Sequence, residues 1–237
     1  MNAQPLAAVA AEIEVREPRD WHSIFDGMSE VQKKVHLLFR RTEENVEEWR
    51  EKLLRESRET YEETLREEVR SIGCGDPGPL YLGAGRELRG LNDRAKFAST
   101  SIVNTWNWDL ANKIVAIRNE TPTANRWVYA YRIQQWEPQH WAAKGQEIAM
   151  TETGWAVNRA KQDFYRHNDV DLEGAEVRPY RTACPVCASY VAGNPYKSMD
   201  DGYRKTQLPA HPKCPHYLEA VAKKLTADDC KSLWLGE

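Results

Sequence analysis

An α+β fold, predominantly helical, with a small cross-linked β-containing module at the carboxy-terminal end, follows from three features of this sequence. Two long tracts repeat apolar residues every three or four positions, the spacing of a helix that buries one face. A run of glycine and proline, Gly73, Gly75, Pro77, Gly78 and Pro79, separates those tracts. Near the end, Cys184 and Cys187 stand two residues apart, and His211, Cys214 and His216 follow as a second group of metal donors. The organisation predicted is an extended arm over 1–28, a long amphipathic helix over 29–72, a linker over 73–90, a helical domain over 91–174 and the cross-linked module over 175–237.

The arm mixes small, charged and proline residues without a period, and Trp21, Ile24 and Phe25 form an apolar knot at its end. Ser29 followed by Gln32 is a capping-box pattern that opens the long helix. Its stripe is Val31, Val35, Leu38, Val46, Trp49, Leu53, Tyr61, Leu65, Val69 and Ile72, flanked by Glu48/Lys52, Glu51/Arg55 and Glu62/Arg66 at i,i+4. Heptad spacing drifts after Leu53, where Ser57 occupies the stripe, so a regular coiled coil is only weakly supported. A stripe of this length still needs a packing partner, from its own chain or a neighbour.

Leu91, Ala95, Ala98, Ile102, Trp106 and Leu110 describe a helix reaching Arg118, whose polar face carries asparagines rather than a basic stripe. A further helix from Ala124 is expected to stop before Pro138, and another to restart near Gly154 with Thr151 or Thr153 as cap. In that reading Glu152 serves the helix start, and Arg159 or Lys161 pairs with Asp163 or meets a partner. Ala175–Arg181 reads as a strand, Tyr190 and Val191 as its partner, Leu218–Leu225 as a short helix, and residues 233–235 as a terminal anchor.

Four S or N ligands at tetrahedral spacing are what a structural Zn2+ site needs. Cys184 and Cys187 supply two thiolates, and His211, Cys214 and His216 more than complete the set, so the fourth ligand lies between the two histidines. The alternative is buried thiols with unrelated surface histidines. The 23 residues between Cys187 and His211 form a polar loop or hairpin closed at its base. Five cysteines, three of them in the cluster, argue for thiolate ligands in a reducing compartment, with Cys74 and Cys230 as bystanders.

The cluster and an upstream segment also carry a resemblance. C-x-x-C followed by P-x-H-P-x-C resembles the carboxy-terminal motif of the phage head-morphogenesis family, the minor head proteins typified by the Mu virion protein. His216 stands where that family has a second cysteine. I-A-M-T-E-T-G-W-A-V-N-R-A, residues 148–160, is similar to the family's I-A-x-T-E-T-x-x-A-x-N-x-A segment, in the expected order. The resemblance covers about Leu91 to Tyr217 and implies a structural virion protein. Its implied partners are the portal or major capsid protein and further copies of itself, with packaged DNA as an additional contact. Its implied place is the head or portal region, after synthesis in host cytoplasm.

Composition bounds the alternatives. Of 237 residues, 41% are apolar and 29% charged, with no apolar run long enough for a membrane span. The start, M-N-A-Q-P-L, lacks the basic and apolar regions of a secretion signal. A net charge of -3 gives no global attraction to nucleic acid. Nine tryptophans and ten tyrosines against four phenylalanines favour protein interfaces. H-E-x-x-H and the deaminase H-x-E are absent, and Cys-Pro-Val-Cys as a redox turn competes with its neighbouring metal donors. The expectation is therefore a protein that is not an enzyme. A zinc-containing DNA-binding or nuclease-like protein, with His211 or His216 as base and Asp200 or Asp201 on a metal, is the first alternative. A non-viral helical scaffold with a zinc module is the second.

Overall fold

The computed structural model describes residues 20–78, 85–168, 172–179, 184–206, 208, 210, 214–222, 230, 231 and 233. In chain order these form α1 (Trp21–Asp26), α2 (Glu30–Phe39), α3 (Glu43–Ser71), α4 (Arg86–Glu120), α5 (Arg126–His167), β1 (Leu172–Arg178), α6 (Pro185–Ala192), α7 (Met199–Thr206) and β2 (Tyr217–Ala222). The fold is predominantly helical with a small two-stranded β-module. The first 19 residues of the expected arm, and residues 79–84 of the expected linker, lie outside the described residues. No described helix is long and apolar enough to cross a membrane. The chain divides into two compact units, Met1–Trp49 with Lys96–His140, and Arg50–Ala95 with Trp141–Glu237.

In the first unit, the Ser29 N–H donates to Gln32 Oε1 at 2.8 Å, the capping-box bond that starts α2. The long helix expected over 29–72 is interrupted directly afterwards. Arg40 is extended, and Asn45 Oδ1 accepts the Thr42 N–H at 3.0 Å, so that α3 begins afresh. The interruption is held from α4. Asn107 accepts the Arg41 N–H at 2.9 Å and donates to the Arg41 carbonyl at 3.1 Å. Trp106 Nε1 donates to the Phe39 carbonyl at 3.1 Å. A tertiary pairing of this kind overrides a helical period that runs through the break.

The core of this unit joins Met28 and Val35 to Leu110, Ala111, Ile114, Ile117, Tyr129 and Ile133, with Ile24 and Phe25 of the expected knot against it. Trp106 is buried and stacks on Trp136 at 5.3 Å, as expected of an aromatic anchor. Val31 and Leu38, assigned to the buried stripe, are exposed. His36 is fully buried between Trp21 and Phe25, and burial holds its pKa below the ordinary imidazole value.

Pro138 does not end α5. The missing N–H and ring clash of an internal proline cost about 3 kcal/mol, but residues on both sides are committed to the same packing. Trp136 lies against Trp106, and His140 Nε2 meets Asp109 at 3.1 Å while its ring rests on Trp136. Helix continuity is therefore decided by contacts that a local proline rule does not see.

In the second unit, Tyr61, Leu65, Val69 and Ile72 of α3 pack with Leu91 of α4 and Ala160 and Phe164 of α5. The partner of this stripe is thus the chain itself. Three polar groups are built into the same interface. Glu152 is not at a helix start but buried within α5, where it accepts both arms of Arg94 at 2.8 and 2.9 Å. Lys161 pairs with Glu68, which also accepts the Tyr165 hydroxyl at 2.7 Å. Asp163 takes the Tyr61 hydroxyl at 2.9 Å and Arg159 at 2.8 Å. Burial, with the neighbouring carboxylate second, drives the hydroxyls of Tyr61 and Tyr165 far above their usual range. Both therefore act as donors.

Gly73 closes α3 with φ +89°, a Schellman ending in which Cys74 N–H reaches the Val69 carbonyl and Gly73 N–H reaches the Arg70 carbonyl. That ending presents Cys74 to Cys230, and the two form a disulfide 156 residues apart in sequence. This corrects the bystander reading of both cysteines and the expectation of an entirely reduced chain. Leu233 packs on the same core, so the described part of the terminal anchor docks on its own unit.

Two outcomes follow. Glu68→Gln, which leaves Lys161 charged and buried, is expected to lower unfolding stability by about 3–5 kcal/mol, measured by chemical denaturation. His36 disfavours its charged form in the fold, so its contribution is intact above the unfolded pKa of about 6.5. That contribution is lost as pH falls from there toward the depressed folded value. His36→Phe should flatten this acid-side loss in a pH series of melting curves.

Candidate metal centre

The module that holds the cysteines is built on β1 and β2, which pair antiparallel with Ala175 opposite Ala220 and Val177 opposite Leu218. Leu218–Ala222 is thus strand, correcting the expected helix over Leu218–Leu225. Tyr190 and Val191 lie in α6, so the partner of β1 is β2 rather than that segment. Sequence alternation is weak in a strand of six residues, and helix and strand are separated here only by what each residue meets. The polar insert likewise carries α7, where Gly202 lies under Leu218. A Cβ at Gly202 would come within 2.8 Å of the Leu218 methyl. Asn194 fastens β1 by accepting the Val177 N–H at 2.8 Å and donating to its carbonyl at 3.1 Å.

Pro185 at the first position of α6 sets Cys184 as its N-cap and puts Cys187 one turn inside. Cys187 is buried, as are Cys214 and His216 just before β2. The Sγ atoms of Cys187 and Cys214 are 3.6 Å apart, and Cys214 Sγ lies 3.7 Å from His216 Nδ1. The three donor atoms all fall within 4.8 Å of one another, a cluster that can coordinate a metal ion. A tetrahedral Zn2+ with bonds of about 2.3 Å to S and 2.0–2.1 Å to N separates its ligands by about 3.5–3.8 Å. The two spacings from Cys214, 3.6 and 3.7 Å, fall in this range.

Cys184 is partly exposed and interacts with the Cys187 thiol from the side, outside the three-residue cluster. The Cys187 N–H, with the Val186 N–H after it, favours the Cys184 thiolate and holds its pKa below the usual thiol value. Burial pushes the Cys187 thiol the other way, and the sulfur of Cys214 adds to the effect. Two adjacent cysteines of one motif therefore have opposite acidities, set by a helix start on one side and an apolar core on the other. His211 lies outside the described residues.

Asn158 of α5 joins the site from outside the cysteine motif. Its Nδ2 donates to the His216 carbonyl at 3.3 Å and to the Gly154 carbonyl at 2.8 Å, and its Oδ1 accepts the Leu218 N–H at 3.1 Å. Asn158 belongs to the 148–160 segment, whose sequence pattern by itself gives it no role. A polar residue on an apolar helical stripe, one turn after Gly154, is the signal that could have singled it out. Beside it, Ala149, Met150, Thr153, Gly154 and Val157 line a shallow groove of about 380 Å³ with Cys214, Pro215, His216 and Tyr217. The candidate nuclease carboxylates are not at the site. Asp200 meets Arg166 at 3.6 Å, and Asp201 meets Lys205 at 2.9 Å.

Compared with known proteins, the chain matches no family model, no curated protein and no solved structure at a significant level.

With the disulfide intact and metal removed, Cys184 is expected to react with an aromatic disulfide reagent about tenfold or more faster than Cys187 and Cys214. Timed alkylation followed by peptide mapping measures this. Equal rates at the three thiols would contradict their exposures and the opposite acidities of Cys184 and Cys187.

Proposed function

We propose that this chain is a structural protein of a tailed-phage virion, a minor head protein that works by binding the portal or inner capsid and not by catalysis. In this reading, Zn2+ held by Cys184, Cys187, Cys214 and His216 keeps the carboxy-terminal module in one shape. The long helices and their aromatic anchors give the subunit a rigid body for contacts with the portal, the major capsid protein or other copies of itself.

The observation that carries the reading is the contact between its two resembling segments. Residues 148–160 and the cysteine motif resemble, in order, two motifs of head-morphogenesis proteins, and Asn158 of the first bonds directly to the backbone around His216 of the second. Segments far apart in sequence that recur together have a physical reason to do so when one fastens the other.

Zinc is supported by donor chemistry. Two thiols and an imidazole, buried and at tetrahedral spacing, match a structural site that contributes folding energy rather than a reactive centre. Bound there, the ion would supply cross-linking of α6 to the start of β2. Cys184, one turn from Cys187 with its thiolate favoured, is placed to complete the set of four.

A high-resolution reconstruction of the particle containing this chain, with metal analysis of the same preparation, tests both parts. One zinc per chain and density on the portal or inner capsid are expected. Loss of zinc in Cys187→Ser should accompany at least a tenfold fall in affinity. A chain absent from particles would overturn the virion reading, and a chain that binds no zinc would overturn the metal reading separately.

A further inference from the structure

We infer that Asn158 is the positioning residue of the metal centre, the group through which α5 sets the orientation of His216. The inference rests on the metal reading above and is independent of the virion reading. In an extended chain, the carbonyl of one residue and the N–H of the residue two further on point to the same side. His216 and Leu218 stand in that relation, and the Asn158 carboxamide meets both, its Nδ2 on the His216 carbonyl and its Oδ1 on the Leu218 N–H.

On the other side, β2 pairs with β1. The Asn158 side chain therefore takes the place of one residue of a third strand. It is itself held, since Nδ2 also reaches the Gly154 carbonyl and the Tyr203 hydroxyl donates to the Asn158 carbonyl at 2.5 Å. Buried to 2% exposure, it has no solvent to exchange these bonds with.

The consequence falls on the ligand. Fixing the peptide on the carboxy side of His216 leaves its imidazole only the rotamer freedom that the backbone allows, with Nδ1 turned to Cys214. Metal sites depend on groups behind the ligands for this orientation, and removing one lowers affinity about 10–100-fold. By linkage, metal bound at His216 should also tighten the contact between the module and residues 154–158 of α5 within the same unit.

The test is zinc affinity of the full chain, measured by competition with a chromophoric chelator, and the Co2+ absorption spectrum of the same proteins. Asn158→Ala is expected to weaken zinc binding about 10–100-fold and to shift the Co2+ d–d bands. Arg132→Ala, which removes an exposed ion pair of the other unit, should leave both unchanged. A double-mutant cycle separates positioning from general loss of structure. In a His216→Ala background, Asn158→Ala should have no further effect on affinity. A loss as large there as in the wild type would overturn the assignment, as would unchanged binding by Asn158→Ala alone. Asn158→Asp keeps the acceptor for Leu218 but sets a carboxylate against the His216 carbonyl, and it carries the same test if the alanine variant does not fold. Wild-type protein that binds no zinc defeats the metal reading itself. Wild-type protein that binds while Asn158→Ala binds equally well defeats only Asn158.

Discussion

A carboxamide side chain carries a donor and an acceptor side by side, as a peptide group does, so an asparagine can close the hydrogen bonds of a backbone that has left regular structure. Three asparagines do this here. Asn107 pairs with Arg41 at the break between α2 and α3, Asn194 with Val177 of β1, and Asn158 with the His216 and Leu218 backbone. Each meets a stretch whose N–H and carbonyl would otherwise lack this partner, and where the groups are buried, as at His216 and Leu218, that costs about 1–3 kcal/mol per group. These pairings lie at a helix break and at the edges of the module's strands, and that of Asn158 meets the backbone beside the cysteine cluster.

The polar content of the second unit follows the same rule. Glu68, Asp163 and Glu152 are buried, and each is met by at least one basic side chain, with tyrosine hydroxyls adding to two of them. Buried ionic groups of this kind contribute little net stability over apolar residues of the same size, yet one removed partner is costly. They favour one register of α3 and α5 over its neighbours, because sliding either helix by a turn would leave several charges unmatched at once. A disulfide at the end of α3 then ties the carboxy-terminal tail to the same core.

The cysteine module shows how one short motif divides its labour. Cys184 sits at a helix start, where backbone N–H groups favour its thiolate, and Cys187 sits one turn inside an apolar core. A core of Ala175, Val177, Met199, Leu208, Ala210 and Leu218 surrounds the buried sulfurs. So small a core is a poor source of stability alone, and a metal cross-link is a physically apt supplement.

Sequence alone determined the helical character, the apolar stripe from Leu53 to Ile72, the Gly73 ending, the capping box at Ser29 and the pairing potential of the cysteine cluster. All of these depend on residues within a few positions of one another, where period and turn chemistry act directly. The break at Arg41, the passage of α5 through Pro138, the strand identity of residues 217–222, the Cys74–Cys230 bond and the contacts of Asn158 were decided by tertiary structure. Their partners lie 66, 156 and 58 residues away at Arg41, Cys74 and Asn158. A short segment holds nearly equal local preferences for helix, strand or interruption, so the contact that buries it chooses among them, and that contact is not written in its own neighbourhood.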